Sequence, residues 1–134
     1  MGKVIIYTNE NGNVSVCYPS GEMALSEMLI RDCPEGAIIV EESSLPYQDN
    51  DFFNAWELKD ETITINLNKA KEITKDRLRF EREPLLAAQD VLVQIADETG
   101  ADKTSIYAEK QRLRDITNLA DSATTTEELR SIKL

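Results

Sequence analysis

Residues 75–90 read KDRLRFEREPLLAAQD: three arginines, then a proline, then an apolar run. They lie within residues 69–98, which contain no glycine and are rich in strong helix formers. Apolar residues recur there every seven positions in two series: Ile73, Phe80 and Ala87, and Leu78, Leu85 and Leu92. This spacing predicts a long helix with two adjacent apolar stripes, together wider than the seam of a minimal coiled coil.

Pro84 stands in the middle of this predicted helix. Proline has no N–H and clashes with the preceding turn, so it weakens the helix at that point. Residues 85–93 are strong helix formers, and the helix is expected to resume through them. Two outcomes stay open: one long kinked helix, or a break with Pro84 as the first residue of a second helix.

A further helix is predicted after Gly100, which stands where a helix C-cap is expected. The helical pattern continues over residues 101–118 through Ile106, Leu113 and Ile116. Two long helices joined by a few residues predict an antiparallel helical hairpin. A last short helix is expected to begin near Thr125, because Thr125 and Glu128 fit a capping box.

The first part of the chain shows strand patterns instead. Residues 3–8 are rich in β-branched and aromatic residues, and residues 14–18 alternate between apolar and polar or small side chains. Between them, Asn11 and Gly12 form the strongest short hairpin signal. Pro19 follows and cannot donate to a strand ladder. These features predict a β-hairpin that ends at Pro19.

A short helix and further strands are expected after this hairpin. Ser20 is a candidate N-cap, Glu22 lies near the positive helix end, and Pro34 with Gly36 ends the helix. Strands are predicted over residues 37–42 and, after a turn at Asp60, over residues 62–67, with a loop over residues 43–51. The large core candidates of this region are Phe52, Phe53 and Trp56.

The predicted fold class is therefore α+β, in two domains. Residues 1–67 form a small antiparallel β-sheet module with a short helix. Residues 68–134 form a long C-terminal antiparallel α-helical hairpin with a short terminal helix.

The composition narrows the classes of function. The net charge is −10, and residues 1–60 hold 3 Lys/Arg against 11 Asp/Glu. An acidic first half argues against non-specific nucleic-acid binding through that half. There is no histidine and no phosphate-binding glycine loop, and neither Cys17 nor Cys33 has an evident activating partner or metal-site spacing. We therefore expect no enzyme, no metal site and no cofactor.

The same features bear on the compartment. Two cysteines are too few for a disulfide framework, so we expect a reducing compartment in which both thiols act as small hydrophobes. The first residues have no pattern of a signal peptide. No apolar stretch approaches the roughly 20 residues that span a bilayer, and no membrane association is expected.

A basic stripe lies within the predicted long helix: Lys71, Lys75, Arg79 and Arg82, which share one face. Four cations in a row are able to grip phosphates. However, Arg77 has Glu81 four residues on, and Arg79 has Glu83, so local ion pairs weaken the field of the stripe. A polar helix flank that faces solvent or a protein is the preferred interpretation, and docking on the acidic first module is a further option.

Three segments carry a resemblance to a known group: KAKEITKDRLRFEREPLLAAQDV, AEKQRLRDIT and SATTTEELRSI. They resemble small phage and prophage proteins encoded among tail genes, which end in a helical hairpin. The hairpin motif is also similar to that of phage tail assembly chaperones and tail-fibre assembly proteins. The positions that match the group's motif are Lys69, Ala70, Ile73, Arg79, Arg82, Pro84, Leu85, Leu86, Asp90, Val91, Gln111, Leu113, Arg114, Asp115 and Thr117.

The resemblance extends to residues 5–19 and 52–58, so it covers most of the chain. Two features depart from the group's pattern. Gln89 stands where a leucine is usual, and the segment after Val93 lacks the usual bulky aromatic run.

This resemblance implies a non-enzymatic phage tail-module protein that binds other tail or tail-fibre proteins, as a virion tail component or a fibre assembly factor. It implies a place in the phage virion tail, or in the host cytoplasm during assembly. A homo-oligomer is expected, without nucleic acid or membrane as a partner. The alternative is an acidic phage-encoded inhibitor or nucleic-acid mimic that acts on a host protein, which the charge of the first module favours.

The candidate protein-interface residues lie on the two predicted long helices: Ile73, Leu78, Phe80, Arg82, Leu85, Leu92, Leu113 and Arg114. The apolar side of the first helix is expected to be its buried side. From spacing in a hairpin, Asp90 is expected to meet Arg112 or Arg114. Arg82 is expected to face Asp115 or the turn at residues 127–128.

Overall fold

A computed structural model describes residues 2–19, 21 and 24–134. Within this range the chain is a mixed α+β protein with two small antiparallel sheets and five α-helices, one of them long. It divides into two compact units, Met1–Lys69 and Ala70–Leu134. The predicted boundary after residue 67 falls in the same helical turn as this division.

The first sheet contains β1 (Lys3–Thr8), β2 (Val14–Cys17) and β3 (Ile38–Glu41) in the order β2-β1-β3, and both pairings are antiparallel. The β1–β2 turn follows from its sequence. The side-chain oxygen of Asn9 accepts hydrogen bonds from the backbone N–H groups of Asn11 and Asn13, at 3.0 and 3.1 Å. Gly12 has φ +81°, which favours glycine. The predicted hairpin is confirmed.

The second sheet is a separate hairpin of β4 (Trp56–Lys59) and β5 (Thr62–Ile65). Asp60 and Glu61 connect the strands with φ of 49° and 65°, as expected for a type I′ turn. The predicted turn at Asp60 is confirmed. The prediction of one sheet in this module is wrong, because β4 and β5 pair only with each other. Residues 43–51 are not a plain loop either, since 3₁₀ helices cover Glu42–Ser44 and Tyr47–Ala55.

One face of the first sheet shares a core with the second sheet. Its buried residues are Val4, Ile6, Val14, Leu45 and Trp56, with Phe53 and residues of β2, β3, β4 and β5 packed around them. The Trp56 ring is fully buried, lies 4.8 Å from that of Phe53, and donates its indole N–H to the backbone oxygen of Asp49 at 3.2 Å. Phe52 is 4% exposed, so the predicted aromatic core is confirmed.

The other face of the first sheet holds Ile5, whose side chain alternates away from Val4 and Ile6 and is completely buried. Helix α1 (Leu25–Arg31) packs on β1 and β3. Its N-cap is Ala24, without a side-chain hydrogen bond. The predicted N-cap Ser20 and its neighbour Glu22 lie outside the described residues.

The second unit is built on α2 (Leu67–Thr99), which continues through Pro84 without a break. Proline leaves the carbonyl of Phe80 without its helical donor. Phe80 is 80% exposed, so water can take the place of that donor. At the start of the helix, the Asn66 side-chain oxygen accepts from the backbone N–H of Lys69 at 3.1 Å, a cap that the sequence did not reveal.

The end of α2 follows its sequence. Gly100 has φ +75°, and the N–H of Ala101 bonds to the carbonyl of Ala96 at 2.9 Å, the geometry of a Schellman motif. The predicted C-cap is therefore confirmed.

Three shorter helices follow: α3 (Thr104–Asp115), α4 (Asn118–Asp121) and α5 (Thr126–Ser131). The Thr125 hydroxyl accepts from the Glu128 N–H at 3.1 Å, which confirms the predicted cap of α5. The Glu128 carboxylate accepts from Thr124 instead of Thr125, at 3.0 Å. Helix α4 was not predicted separately from α3.

Replacement of Trp56 by alanine tests the shared core. Trp56→Ala removes the largest fully buried side chain and is expected to lower the free energy of unfolding by about 3–5 kcal/mol. The control Ile30→Ala truncates a side chain that is 85% exposed and should change it by less than about 0.5 kcal/mol. Urea denaturation followed by circular dichroism measures both; equal midpoints for the two variants would contradict the described core.

Candidate protein-interaction site

The eight predicted interface residues do not share one environment. Leu78 and Leu113 are fully buried inside the second unit. Ile73 and Arg82 are half-buried. Phe80 is 80% exposed, and Leu85 and Leu92 are 43% and 44% exposed. Arg114 is also exposed. The predicted buried side of α2 is thus buried at Leu78 and open to solvent at the other leucines of the same stripe.

Arg82 caps the end of α3. Its guanidinium donates to the backbone oxygens of Leu113 and Arg114, at 3.2 and 2.9 Å. These carbonyls belong to the last turn of α3, where no helical N–H is available and partial negative charge accumulates. The expectation that Arg82 faces Asp115 or residues 127–128 is wrong. The acceptors of its guanidinium are these backbone carbonyls and not side-chain carboxylates.

Two more cations of α2 cap the other short helices. Arg77 donates to the backbone oxygen of Ile132 at 2.8 Å and to that of Leu129 at 3.4 Å, at the end of α5. Lys71 donates to the backbone oxygen of Asp121 at 3.0 Å, at the end of α4. Each short helix therefore ends on a cation from α2.

Other ion pairs support these caps. Lys75 contacts the Asp121 carboxylate at 2.6 Å. That hydrogen bond, with the charges of Lys75 and Lys71, lowers the pKa of Asp121. The predicted pair Arg77–Glu81 is confirmed at 3.2 Å, whereas Arg79 pairs with Asp76 at 2.9 Å instead of with Glu83.

Asp90 pairs with Lys110. The expectation that it meets Arg112 or Arg114 is therefore wrong. Arg112 is instead held by Glu109, three residues away on α3. Pairs three residues apart on one helix face each other and stabilise it by a few tenths of a kcal/mol.

The second half of α2 carries an exposed apolar face, which we define as Leu85, Ala88, Val91, Leu92 and Ile95. Leu85, Ala88, Leu92 and Ile95 follow the alternating three- and four-residue spacing of a coiled-coil seam. Val91 and Ile95 are 53% and 50% exposed. The same stripe in the first half of α2 is buried at Thr74 and Leu78. In the second half of α2 these side chains stay open to solvent, although Ala96 beside them is buried.

Val91 and Ile95 are not among the predicted interface residues. Ile95 lies three residues after Leu92 and four after Val91, and this helical spacing is the sequence signal that identifies them. Ionisable groups are absent from the apolar face, so its available chemistry is contact with another apolar surface.

A polar cluster marks the surface of the first unit. The hydroxyls of Tyr18 and Tyr47 lie 2.7 Å apart, and Tyr47 donates to Glu42 at 3.3 Å. Desolvation, followed by these hydrogen bonds and the charge of Glu42, raises the pKa of Tyr47. The bonds join the end of β2 to the 3₁₀ segments.

Within residues 2–19, 21 and 24–134, nowhere do three or more His, Cys, Asp or Glu side chains converge as metal ligands. None of the helices in the same part combines the length and apolar character that crossing a bilayer requires.

The caps on the short helices predict different roles for two arginines of α2. Arg82→Ala is expected to lower the free energy of unfolding by about 1–2 kcal/mol, because two carbonyls of α3 lose a charged donor. Arg79→Ala is the matched control and should cost less than about 0.5 kcal/mol, since Arg79 pairs only along its own helix. Chemical denaturation measures both, and equal effects would refute the capping role.

Acid should weaken the contact of Lys75 with Asp121. The lowered pKa of Asp121 means that its contribution to stability is complete above about pH 4 and is lost as pH falls through the lower folded value. Asp121→Asn removes this contribution, so its melting temperature should lie below that of the parent at pH 7 and converge with it in acid. Glu83→Gln, an exposed change on α2, controls for loss of charge. A gap that stays constant with pH would contradict the assignment.

Comparison with models of known protein families, with curated protein sequences and with solved structures finds no match to this chain.

Proposed function

We propose that this chain is a non-enzymatic, protein-binding component of a phage tail module. It binds other tail or tail-fibre proteins, as part of the virion tail or as a fibre assembly factor. The observation that carries the proposal is the exposed apolar face of α2. Its four large side chains are between 43% and 53% exposed on consecutive turns of one helix.

The strength of such a contact can be bounded. Completing the burial of four side chains that are already half-buried contributes roughly 1 kcal/mol each. Association itself costs about 4–15 kcal/mol in lost freedom, so one such face gives weak binding. Weak contacts become effective when many copies act together, because later contacts form at high effective concentration. A repeated assembly such as a phage tail, or a homo-oligomer of this chain, meets that condition.

The proposal includes an antiparallel hairpin of α2 and α3 that presents this face. Three cross-contacts support it, and they run in opposite directions along the two helices. Asp97 pairs with Lys103, Asp90 with Lys110, and Arg82 with the carbonyl of Leu113. As the position on α2 falls, the position on α3 rises.

The phage setting rests on the resemblance of the sequence motifs. The caps give several motif positions a physical reason. Arg82 holds α3 through backbone oxygens at Leu113 and Arg114, all three of which are motif positions. A group of proteins with this hairpin would need the arginine to dock the second helix, whatever partner it binds.

The competing function is an acidic inhibitor or nucleic-acid mimic. Its support is the acidic composition of residues 1–60, with 3 Lys/Arg against 11 Asp/Glu. Salt separates the two functions. Binding through the apolar face should persist in 1 M NaCl, at which the Debye length is about 3 Å, whereas binding by a mimic should collapse.

A charge placed on the apolar face tests the proposal in the phage or prophage that encodes the chain. Leu92→Glu is expected to abolish complementation of a deletion, measured as the fraction of particles with complete tails in electron micrographs. The control Gln94→Glu adds the same charge at an exposed position two residues further on, which points away from Leu92, and should complement fully. Leu92 is 44% exposed, so both variants should keep the parental melting temperature.

A deletion that leaves tails and fibres complete would overturn the proposal, as would full complementation by Leu92→Glu. Mass spectrometry of purified particles then assigns the role. Detection of the chain in tails indicates a virion component, and its absence from particles that depend on it indicates an assembly factor.

A further inference from the structure

Cys17 and Cys33 come from different elements of the first unit and meet on one side of its first sheet. Cys17 is the last residue of β2 and pairs with Ile5 of β1. Paired residues point to the same face, so Cys17 lies on the face of Ile5, opposite the core of Val4 and Ile6. Cys33 follows the end of α1, the helix that packs on β1 and β3.

The Cys17 side chain is a direct neighbour of the Cys33 thiol, and both cysteines are free. Both residues are only partly buried, so a small reagent can reach them. Desolvation, and then the proximity of Cys17, raise the pKa of Cys33, which therefore stays protonated at neutral pH.

We propose that Cys17 and Cys33 are a reversible thiol–disulfide pair, oxidised by a peroxide and reduced by a small or protein dithiol. The disulfide would tie the end of β2 to the segment that follows α1. It would close a loop that contains the whole of α1, so opening of that helix away from the sheet would be suppressed.

The chemistry balances in two steps. The Cys17 sulfur attacks one peroxide oxygen and the O–O bond breaks; the hydroxide that leaves takes up the thiol proton, which gives a sulfenic acid and one water. The Cys33 sulfur then attacks the sulfenic sulfur, the S–O bond breaks, and hydroxide leaves as a second water with the Cys33 proton. Two thiols lose two electrons and two protons, and one hydrogen peroxide becomes two waters. A dithiol reverses the pair by two thiol–disulfide exchanges and becomes a disulfide itself.

The purified full-length chain tests the pair directly. After reduction and removal of the reductant, it is treated with hydrogen peroxide and digested with trypsin without reduction. Cleavage after Lys3, Arg31 and Lys59 puts Cys17 in the peptide 4–31 and Cys33 in the peptide 32–59. The expected product is one cross-linked peptide from a monomer whose intact mass is lower by about 2 Da, and dithiothreitol should reverse it.

The oxidised chain should also melt higher, by about 5 °C or more, since the cross-link restricts the unfolded state. Cys17→Ser and Cys33→Ser should each abolish the cross-linked peptide. Oxidation of the parent to separate sulfinic acids, cross-links only between chains, or two thiols that stay reduced would each overturn the proposal. The test needs no binding partner, so it stands or falls separately from the proposed tail function.

Discussion

The caps that α2 places on the ends of α3, α4 and α5 are the interaction on which the second unit depends. The three helices contain 12, 4 and 6 residues, and helices of such lengths are marginal or unstable alone in water. Arg82, Lys71 and Arg77 supply charged donors to their last carbonyls. Hydrogen bonds with a charged partner are roughly twice as strong as neutral ones. The arginine-rich start of residues 75–90 is therefore part of the tertiary structure.

The same contacts explain why charge patterns in the sequence predict only some partners of the α2 cations. The pair Arg77–Glu81 is one turn apart and could be read from the sequence. The acceptors of Arg82 lie more than 30 residues further along the chain and are backbone carbonyls, which every residue possesses. No residue type marks such an acceptor in a sequence. Side-chain pairing rules therefore predict carboxylates as the partners of Arg82, and its actual acceptors are carbonyls.

Elements with local causes were predictable, and elements with distant causes were not. The turn at Asn11-Gly12, the C-cap at Gly100 and the N-cap at Thr125 depend on residues within one or two turns of each other. Whether five strands form one sheet or two depends on which distant strands pair, and strand patterns in the sequence do not encode that pairing. The cap at Asn66 was missed because the helix begins before the apolar period becomes clear.

The exposure of the apolar stripe of α2 also depends on distant parts of the chain. The proposed function is based on this stripe. The seven-residue period places Leu78, Leu85 and Leu92 on one line of α2. It does not predict which of these side chains other helices bury. The contacts of α4 and α5 reach α2 at Lys71, Lys75 and Arg77, all in its first half. The second half keeps its apolar residues without that cover. Large exposed apolar patches promote aggregation unless a partner covers them. Because the capping cations and the apolar face occupy different halves of α2, folding of the second unit and the proposed binding to a partner can be altered separately.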